Sequence, residues 1–504
     1  MYSVIELPLE VDPWQAAAID KKMECARKVY NQMLSKNLKK YGEMVKTREW
    51  KELCRVIKEE LSKEPKKKSE ALKEAYARKN EIMKASGFSD FSFRNQAIAA
   101  SKYYQKHMSS KMANMSIGHP MWAAFEKLFF GNGEAVHFKR AGEAMSLASD
   151  NKSGMRFVNE GGSYFVVFSN KVARAKVVRV KVKGPKTEYD CAMLRANVKV
   201  LRVVKKIEKG RGHYYCQLTV DREPYAKVDE NGELVHPIGE GPVGLAVWRD
   251  KLCAVSSDRT EIFSLSPYAP GYAEKRDELT RKLEHLRRVN NPDNYNEDGT
   301  VKNGIVGEDG KRHRLTWVET NHYKKVKAEL RELHRVYVVE RNLHHNKIVW
   351  ELLSMGDSFK FADTSFLTKK PEWDENEPAQ PEECVKRKQR AKSIQECAPS
   401  ELLAKLDAKL EGAHLAPIAR HKLPEELYWY RHDVGASGED LFQGEQVVVH
   451  DEQVDQTLYR AYLALHYDEG AKRYDERALD DGWESFVRHA KVSGTLLDLS
   501  RRGA

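Results

Sequence analysis

The stretch GPVGLAVWRDKLCAVSS, residues 241–257, decides the fold of the second half of the chain. It contains two apolar runs, Val-Gly-Leu-Ala-Val and Leu-Cys-Ala-Val, on either side of a polar Arg-Asp pair. Short apolar runs bounded by Gly-Pro and by a polar turn are typical of buried strands, so we predict a hairpin that opens a sheet. The middle of its first strand holds Ala246, which has no polar side chain.

Strand and helix patterns alternate after this hairpin. EIFSL (261–265) and DSFKFAD (357–363) predict two further strands, and a helix is expected around 399–411. His344-His345 is expected on a helix surface and is a poor metal candidate. Apolar residues at helical spacing predict two helices between the strands, lined by Leu279, Leu283, Leu286, Val326, Leu330, Leu333 and Val336.

The first half divides into a helical part and a strand-rich part. Residues 2–9 predict one strand, Asp12-Pro13 marks a helix N-cap, and helical spacing continues to about residue 130, with one helix expected over 92–112. The segments from 133 to 222 alternate apolar and polar residues between glycine turns, which predicts an antiparallel barrel or sandwich. They are AVHFKR, GMRFVNEGGSYFVVFSN, KVARAKVVRVKVKG, ANVKVLRVVKKIEKG and HYYCQLTVD.

The strand-rich part also carries an excess of basic residues. Between Lys171 and Lys206 there are 12 basic and 2 acidic residues. One alternating strand of this kind is often only a solvated face, but basic residues on two strands favour the binding of a polyanion. The residues predicted to face it are Lys176, Arg179, Lys181, Lys183, Lys199, Arg202, Lys205 and Lys206.

Composition excludes several classes of protein. The chain has 504 residues, 41% of them hydrophobic, and a formal net charge of +11, so it is long enough for several folded domains. Its start lacks a signal-peptide pattern, and no apolar run approaches the roughly 20 residues of a membrane span. The 7 cysteines are scattered, which indicates reduced thiols in a cytoplasm and predicts no structural zinc site.

Six segments, in this order, resemble the TnpB-like proteins encoded by transposons and the compact type V CRISPR effectors related to them. The match is almost letter for letter at RRVNNPDNYNEDGTVK, and the likeness extends over nearly the whole chain. The segments are FFGNGEAVHFKR (129–140), SLASDNKSGMRF (146–157), VGLAVWRDKLCAV (243–255), RRVNNPDNYNEDGTVK (287–302), GDSFKFADTSF (356–366) and QTLYRAYL (456–463).

The resemblance implies a multidomain α+β protein. It would contain a first barrel strand at 1–11, a helical recognition lobe at 12–130 and a wedge-like antiparallel β-barrel at 131–238. A RuvC-like (RNase H-like) α/β domain with a helical insertion would cover 239–423. Residues 424–504 would replace the family's four-cysteine zinc ribbon and supply the last RuvC-like helices, because no cysteine follows Cys397.

RuvC-like domains of this family cut DNA with three carboxylates that hold two metal ions. The resemblance places these positions at Ala246, Ala362 and Thr457, none of which is acidic. Asp363 neighbours Ala362 but would face the other side of its strand, and Asp250 falls in the hairpin turn. Asp455 would point away from Thr457 if that segment is helical. We therefore expect a naturally nuclease-dead relative, with neither catalytic Mg²⁺ nor structural Zn²⁺.

The function implied is RNA-guided binding of double-stranded DNA without cleavage. The expected partners are a guide RNA, its target DNA and a protein that docks on 424–504, and the expected location is the bacterial cytoplasm, on the nucleoid when bound to DNA. Bound protein would repress transcription by occupancy, or would recruit a partner. Two alternatives stay open: an endonuclease with relocated acids, and a DNA-binding or assembly protein that uses no guide.

Further residues are candidates for contact with nucleic acid. Lys139, Arg140 and Arg156 lie where the family is basic, and phosphate contact is the expected role. Three groups have an alternative role: Lys102-Tyr103-Tyr104 would stack bases or belong to the core, and Lys369-Lys370 would contact the target strand or be solvated. Arg94-Asn95-Gln96 would read base edges, but helix capping is the favoured use.

Overall fold

The computed structural model describes residues 2–62, 69–130, 133, 135–143, 145–168, 177–223, 235–248, 250–306, 312–362, 394–421, 423, 442–443, 446–449, 452–468 and 470–492. The chain divides into two compact units, Met1–Ala226 and Lys227–Ala504. Within the described parts, no helix combines the length and the apolar character needed to cross a bilayer.

Unit 1 begins with a strand and continues into a set of helices, the helical lobe. The backbone N–H of Asp12 donates to Gln15 Oε1 at 2.8 Å, and Pro13 is the first helical residue, so the predicted N-cap is confirmed. The elements are β1 (Ser3–Glu10), α1 (Pro13–Met44), α2 (Arg48–Ser62), α3 (Glu70–Ala85), α4 (Asp90–Ser101), α5 (Ser110–Ala113) and α6 (His119–Phe129).

The single helix predicted over 92–112 is wrong, because the chain leaves the helix at Ser101. The Ser101 hydroxyl donates back to the Ile98 carbonyl at 2.9 Å, and Lys102–Tyr104 forms one 3₁₀ turn. A new helix then starts where Ser109 accepts a hydrogen bond from the Met112 amide. The break therefore leaves a short turn at Lys102–Tyr104 in place of a continuous helix.

The second part of unit 1 is a nearly closed antiparallel, barrel-like sheet, as predicted. Its strand order is β2-β6-β7-β1-β5-β4-β3, so β1 lies in the middle. Gly161 and Gly162, with φ of +58° and +81°, form the tight turn between β3 and β4. The elements are β2 (Leu147–Asp150), β3 (Met155–Glu160), β4 (Ser163–Phe168), β5 (Val178–Val182), α7 (Glu188–Leu194), β6 (Val198–Glu208) and β7 (Arg211–Val220).

The segment AVHFKR (135–140) is not the strand that its alternation predicted. Its backbone is held by side chains of α1 instead of by a neighbouring strand. Asn31 donates to the Lys139 carbonyl at 2.8 Å and accepts from the Lys139 amide at 2.9 Å, and Arg27 donates to the same carbonyl at 3.1 Å. These contacts satisfy the backbone groups that a sheet ladder would otherwise pair.

The lobe and the barrel share one hydrophobic core. Ile19 of α1 and Phe125 of α6 belong to the same buried cluster as Val180 of β5 and Leu218 of β7. The predicted boundary near residue 130 therefore does not separate two cores.

Unit 2 is built on a five-stranded sheet of order β10-β9-β8-β13-β14. The predicted hairpin is confirmed as β8 and β9, and β13 and β14 add to β8 in parallel. The helices include the predicted one near 399–411. The elements are β8 (Pro242–Trp248), β9 (Lys251–Val255), β10 (Thr260–Ser264), α8 (Ala269–Asn290), β11 (Ile305–Val306), β12 (Arg312–His313), α9 (Asn321–Met355), β13 (Ser358–Ala362), α10 (Pro399–Gly412) and β14 (Ala419–His421).

Alternate residues of β8 serve two different cores. Val243, Leu245 and Val247 pack with α9 and α10, whereas Ala246 belongs to the cluster formed with the C-terminal helices. The C-terminal elements are β15 (Phe442–Gln443), β16 (Gln446–Val449), β17 (Glu452–Asp455), α11 (Gln456–Leu465), β18 (Tyr467–Asp468), β19 (Arg473–Tyr474) and α12 (Glu476–Val492).

The expectation of a surface position is wrong for His345. Its side chain is fully buried on α9, and Nε2 lies 3.1 Å from the carbonyl oxygen of Leu265. Burial, followed by the charges of Lys405 and Arg341, lowers the pKa of His345 to about 4. The neutral imidazole is therefore part of the core at neutral pH.

Candidate nucleic-acid interface

The outer face of β3, β4 and β5 carries the predicted basic alternation. In β5, Val178, Val180 and Val182 are buried while Arg179 and Lys181 are exposed. The strand registers align Arg179 with Val167 and Val167 with Arg156, so both arginines lie on the same face of the sheet. Lys183, just beyond β5, is also exposed.

Two of these cations already have acidic partners. Arg179 pairs with Glu160 at 2.6 Å, and its guanidinium lies 3.7 Å from the centre of the Phe165 ring. Lys181 pairs with Glu10 at 3.3 Å. A neighbouring carboxylate cancels much of the field that a phosphate would otherwise experience.

The same pairing recurs on β6. Lys199 pairs with Asp221 at 3.0 Å, and Lys206 pairs with Glu6 while its ammonium lies 4.7 Å from the Tyr215 ring centre.

Lys205 differs from the expectation of an outward residue. Its ammonium donates to Asp20 at 2.7 Å, and the Tyr214 hydroxyl donates to the same carboxylate at 2.7 Å. Burial lowers the pKa of Lys205, but the hydrogen bonds with Asp20 and Tyr214 outweigh it, and the net shift is upward. Only 20% of the side chain is exposed, so Lys205 connects α1 to the barrel.

Five of the predicted basic residues form no ion pair with any residue that the structure describes, and all five are exposed. No described carboxylate offsets the charge of these cations, so they are the strongest phosphate-binding candidates in unit 1. They are Lys102, Arg140, Arg156, Lys183 and Arg202. Lys139, by contrast, pairs with Glu143 at 2.7 Å. Lys176, Lys369 and Lys370 lie outside the described residues.

The turn at Lys102–Tyr104 separates its two tyrosines. Tyr103 is 87% exposed, whereas Tyr104 packs against the core, and the rings meet edge to face at 5.0 Å. Burial and then the charges of nearby lysines lower the pKa of His107, the largest charge effect being that of Lys22. The turn therefore presents one exposed aromatic ring on a basic surface, an arrangement suited to base stacking.

The three residues Arg94-Asn95-Gln96 lie inside α4, so they cap no helix; Ser89 is the N-cap. Arg94 pairs with Asp90, which also lies 3.0 Å from His119 Nδ1. Gln96 accepts a hydrogen bond from the buried Asn37 at 2.8 Å, which commits its amide to the lobe. Asn95 is exposed and forms no hydrogen bond through its side chain to another described residue.

In unit 2, the three positions assigned to metal-binding carboxylates lie in an apolar core. Ala362 follows Phe361, which pairs with Leu245, so Ala362 lies beside Ala246, and both are buried. They pack with Leu458 and Ala461 of α11 in one cluster. Thr457 is buried in the first turn of the same helix.

The helix lies directly on the strand at Gly244. A Cβ at this position would come within 2.0 Å of the Ala461 carbonyl oxygen, so only glycine is compatible with such a close approach.

A buried ion pair lies beside this core. Asp455 is the N-cap of α11: its carboxylate accepts from the amides of Thr457 at 2.8 Å and Leu458 at 3.2 Å. Lys251 pairs with the same carboxylate. Burial, and then the charge of Asp455, raises the pKa of Cys253 well above its usual value. Asp455 was expected to point away from Thr457 only if both were helical, and this condition is not met because the helix begins at Gln456.

The donor set around this centre does not suit a pair of divalent cations. Asp455 is the carboxylate closest in sequence to Thr457, and amides and an ammonium already occupy its oxygens. In the described part of the chain, no three His, Cys, Asp or Glu side chains are arranged to hold a metal ion. Asp250 lies in the hairpin turn as predicted, and Asp363 lies outside the described residues.

Sequence reasoning missed Lys251 as the partner of this carboxylate. The signal for Asp455 was present, since an aspartate directly before an apolar helical run is a common N-cap. No local pattern indicated Lys251, which lies 204 residues earlier in the chain.

The chain is similar to a known protein family and to a solved structure. A family model described as a helix-turn-helix domain, HTH_OrfB_IS605, matches residues 8–46, where the structure has the end of β1 and the single helix α1. This match supports the resemblance to TnpB-like proteins at the start of the chain. No curated protein matches the sequence.

Among solved structures, the chain is similar to one described as "Cryo-EM structure of the Cas12f1-sgRNA-target DNA complex". The identity is 11%, the coverage is 92% of this chain and 98% of that chain, and the TM-score is 0.45. At this TM-score the likeness carries no argument about the fold or the activity.

Proposed function

We propose that this protein binds double-stranded DNA at sites chosen by a guide RNA and does not cut it. Base pairing would supply the sequence specificity, and the protein would contribute backbone contacts. Bound protein would repress transcription by occupying a promoter, or recruit a partner through residues 424–504. Such an activity belongs in the cytoplasm of a bacterium.

One observation supports the proposal that the protein does not cleave DNA. Ala246, Ala362 and Thr457 stand where the resemblance expects three carboxylates; the two alanines are packed under α11, and Thr457 is buried in its first turn. Two divalent cations need several oxygen ligands to hold a phosphodiester, and these side chains offer at most one hydroxyl. The nearby ammonium of Lys251 would also repel a cation.

Binding of nucleic acid is supported by surface chemistry in unit 1. Arg156, Lys183 and Arg202 are exposed cations without an ion pair to a described residue, and Tyr103 is an exposed ring beside Lys102. An exposed aromatic ring beside a cation suits a base and a phosphate together. The paired cations of β5 and β6 would contribute less.

The experiment has two stages. RNA that copurifies with the protein from its native locus is sequenced, and DNA matching its variable end is then tested for binding and for cleavage in Mg²⁺ and in Mn²⁺. We expect one discrete RNA species, guide-dependent binding and intact DNA. Only ribosomal and transfer RNA fragments, with binding that follows duplex sequence, would favour a protein that uses no guide. Metal-dependent cleavage would favour relocated acids.

A further inference from the structure

The connection between α8 and α9 contains a cavity of about 500 Å³. Its charged and aromatic lining consists of Arg287, Lys302, Arg312, His313, Arg314 and Trp317. None of the residues that line it is acidic, and all of them are described. Four permanent cations therefore face one small space without a carboxylate among them.

The motif residues NNPDN (290–294) shape this cavity but do not line it. Asn291 donates to the Val318 carbonyl at 3.2 Å and accepts from the Val318 amide at 2.6 Å, and Asn294 donates to the Thr316 carbonyl at 2.7 Å. Both asparagines are buried. They fix the segment that carries Trp317 against the end of α8.

The cations are held in place by neighbours that do not neutralise them. The Arg287 guanidinium lies 3.7 Å from the centre of the Trp317 ring, and Lys302 donates to the Asp293 carbonyl at 2.8 Å. At Gly304, where φ is +105°, an added Cβ would lie 2.7 Å from Arg312 Cγ. The bare backbone of this glycine leaves room for the Arg312 side chain.

Two of the cations have no counter-charge among the residues that the structure describes. Arg312 and Arg314 are exposed and form no ion pair with a described residue. Like charges gathered in one place repel each other, so an anion that enters the cavity relieves this repulsion. Guanidinium groups also match phosphate oxygens with two parallel hydrogen bonds.

We propose that this cavity binds the phosphates of a single-stranded segment of nucleic acid. Its volume lies in the range of about 300–1,000 Å³ for small-ligand sites, which suits a nucleotide and excludes a duplex. A free phosphate carries at most about two negative charges, whereas successive phosphodiesters carry one each and match four cations better. The site lies in unit 2, needs no guide, and goes beyond the function proposed above.

The test compares two double variants of the full chain that lose the same charge. Arg312→Ala/Arg314→Ala removes the cations of the cavity. Lys282→Ala/Lys325→Ala removes two exposed cations of α8 and α9 that do not line it. The probes are a fluorescent ten-nucleotide single-stranded RNA of mixed sequence, the same RNA as a duplex, and inorganic pyrophosphate as competitor.

We expect the cavity variant to bind the single strand about tenfold more weakly, with a salt slope lower by about 1.4, because each lost phosphate contact removes about 0.7. The control should change affinity less than twofold, and the duplex should be affected less than the single strand. Photo-crosslinking of a 4-thiouridine version should recover the peptide that contains Trp317.

Two results would overturn the proposal. One is an equal loss of affinity in both double variants, with crosslinks confined to unit 1. The other is pyrophosphate that binds as tightly as the RNA and displaces it fully from the wild-type cavity, which would assign the site to free phosphates. Circular dichroism of the variants separates either result from a loss of folding, since both arginines are exposed.

Discussion

The hairpin end of the five-stranded sheet and the outer face of the barrel each contain a lysine–carboxylate pair, in opposite surroundings. The side chains of Lys251 and Asp455 are 19% and 7% exposed, whereas those of Lys181 and Glu10 are 55% and 45% exposed. Water and salt screen the exposed pair, so it contributes little to stability. The buried pair is hardly screened, and either member left alone would be an uncompensated charge.

This difference teaches how a basic sequence should be interpreted. A cation that is paired inside the fold, such as Lys205 with Asp20, belongs to the structure, and one without a partner, such as Arg156, is available to a ligand. The number of lysines and arginines in a segment does not distinguish the two cases.

The largest expected effect comes from breaking the buried pair. Lys251→Met leaves the Asp455 carboxylate without its cation, and we expect the free energy of unfolding of unit 2 to fall by about 3–5 kcal/mol. Urea denaturation followed by tryptophan fluorescence measures it.

The matched control is Lys251→Met/Asp455→Asn. Asparagine still caps α11, and no unpaired buried charge remains. The double variant should therefore recover at least half of the free energy of unfolding that Lys251→Met loses. Equal losses in the single and double variants would mean that the pair is not coupled as its burial indicates.

The second effect is a pH dependence caused by His345. Its folded-state pKa is lowered to about 4 from 6.5, so the unfolded state binds a proton that the folded state rejects between these pH values. Stability should therefore fall as pH drops through 6.5 and level off below 4, with a loss of about 2 kcal/mol from pH 7 to pH 5. His345→Gln should lack this part of the pH dependence in denaturation experiments at both pH values.

A smaller effect is expected at the half-buried cluster of unit 1. Asp20→Asn removes the charge that Lys205 and Tyr214 share, and unit 1 should lose about 1 kcal/mol of stability. The affinity for single-stranded RNA should stay within twofold, because Lys205 faces α1. An affinity increase as large as that of Asp221→Asn, which releases the exposed Lys199, would show that Lys205 reaches the ligand.

The smallest effect on stability belongs to the exposed pairs. Glu10→Gln/Glu160→Gln should change the free energy of unfolding by less than about 0.5 kcal/mol for each pair. Affinity for single-stranded RNA should rise about threefold, because Lys181 and Arg179 lose their acidic partners.

The control for this variant is Glu59→Gln/Glu70→Gln, which changes net charge equally on α2 and α3. If it raises RNA affinity by the same factor, the barrel face has no special role in binding. A filter-binding titration at two salt concentrations measures both variants.

Local features of the fold were readable from the sequence. The two apolar runs around Ala246 predicted the hairpin, and alternation in 178–182 predicted which side of β5 is buried. His345 was also readable in principle, since Arg341, His345, Ile348 and Leu352 follow helical spacing on the buried side of α9. Arg341 and His345 are polar, so this buried side of the helix does not stand out as an apolar pattern in the sequence.

Long-range pairings were not readable in the same way. Lys206 of β6 pairs with Glu6 of β1, 200 residues away, because both strands flank β7, and only the strand order places them there. The helix break at Ser101 depended on a side chain that competes with the helical backbone, which propensity alone does not decide.

The core shared by lobe and barrel has a consequence for how unit 1 opens. Ile19 and Val180 belong to one cluster although they are 161 residues apart in sequence, and the Gln15–Arg179 hydrogen bond joins the same two elements across 164 residues. Amides of α1 and β5 should therefore exchange with solvent through the same cooperative opening, with similar protection factors. Expression of residues 131–226 alone should give an aggregating chain, since the apolar side chains that pack against the lobe would be exposed.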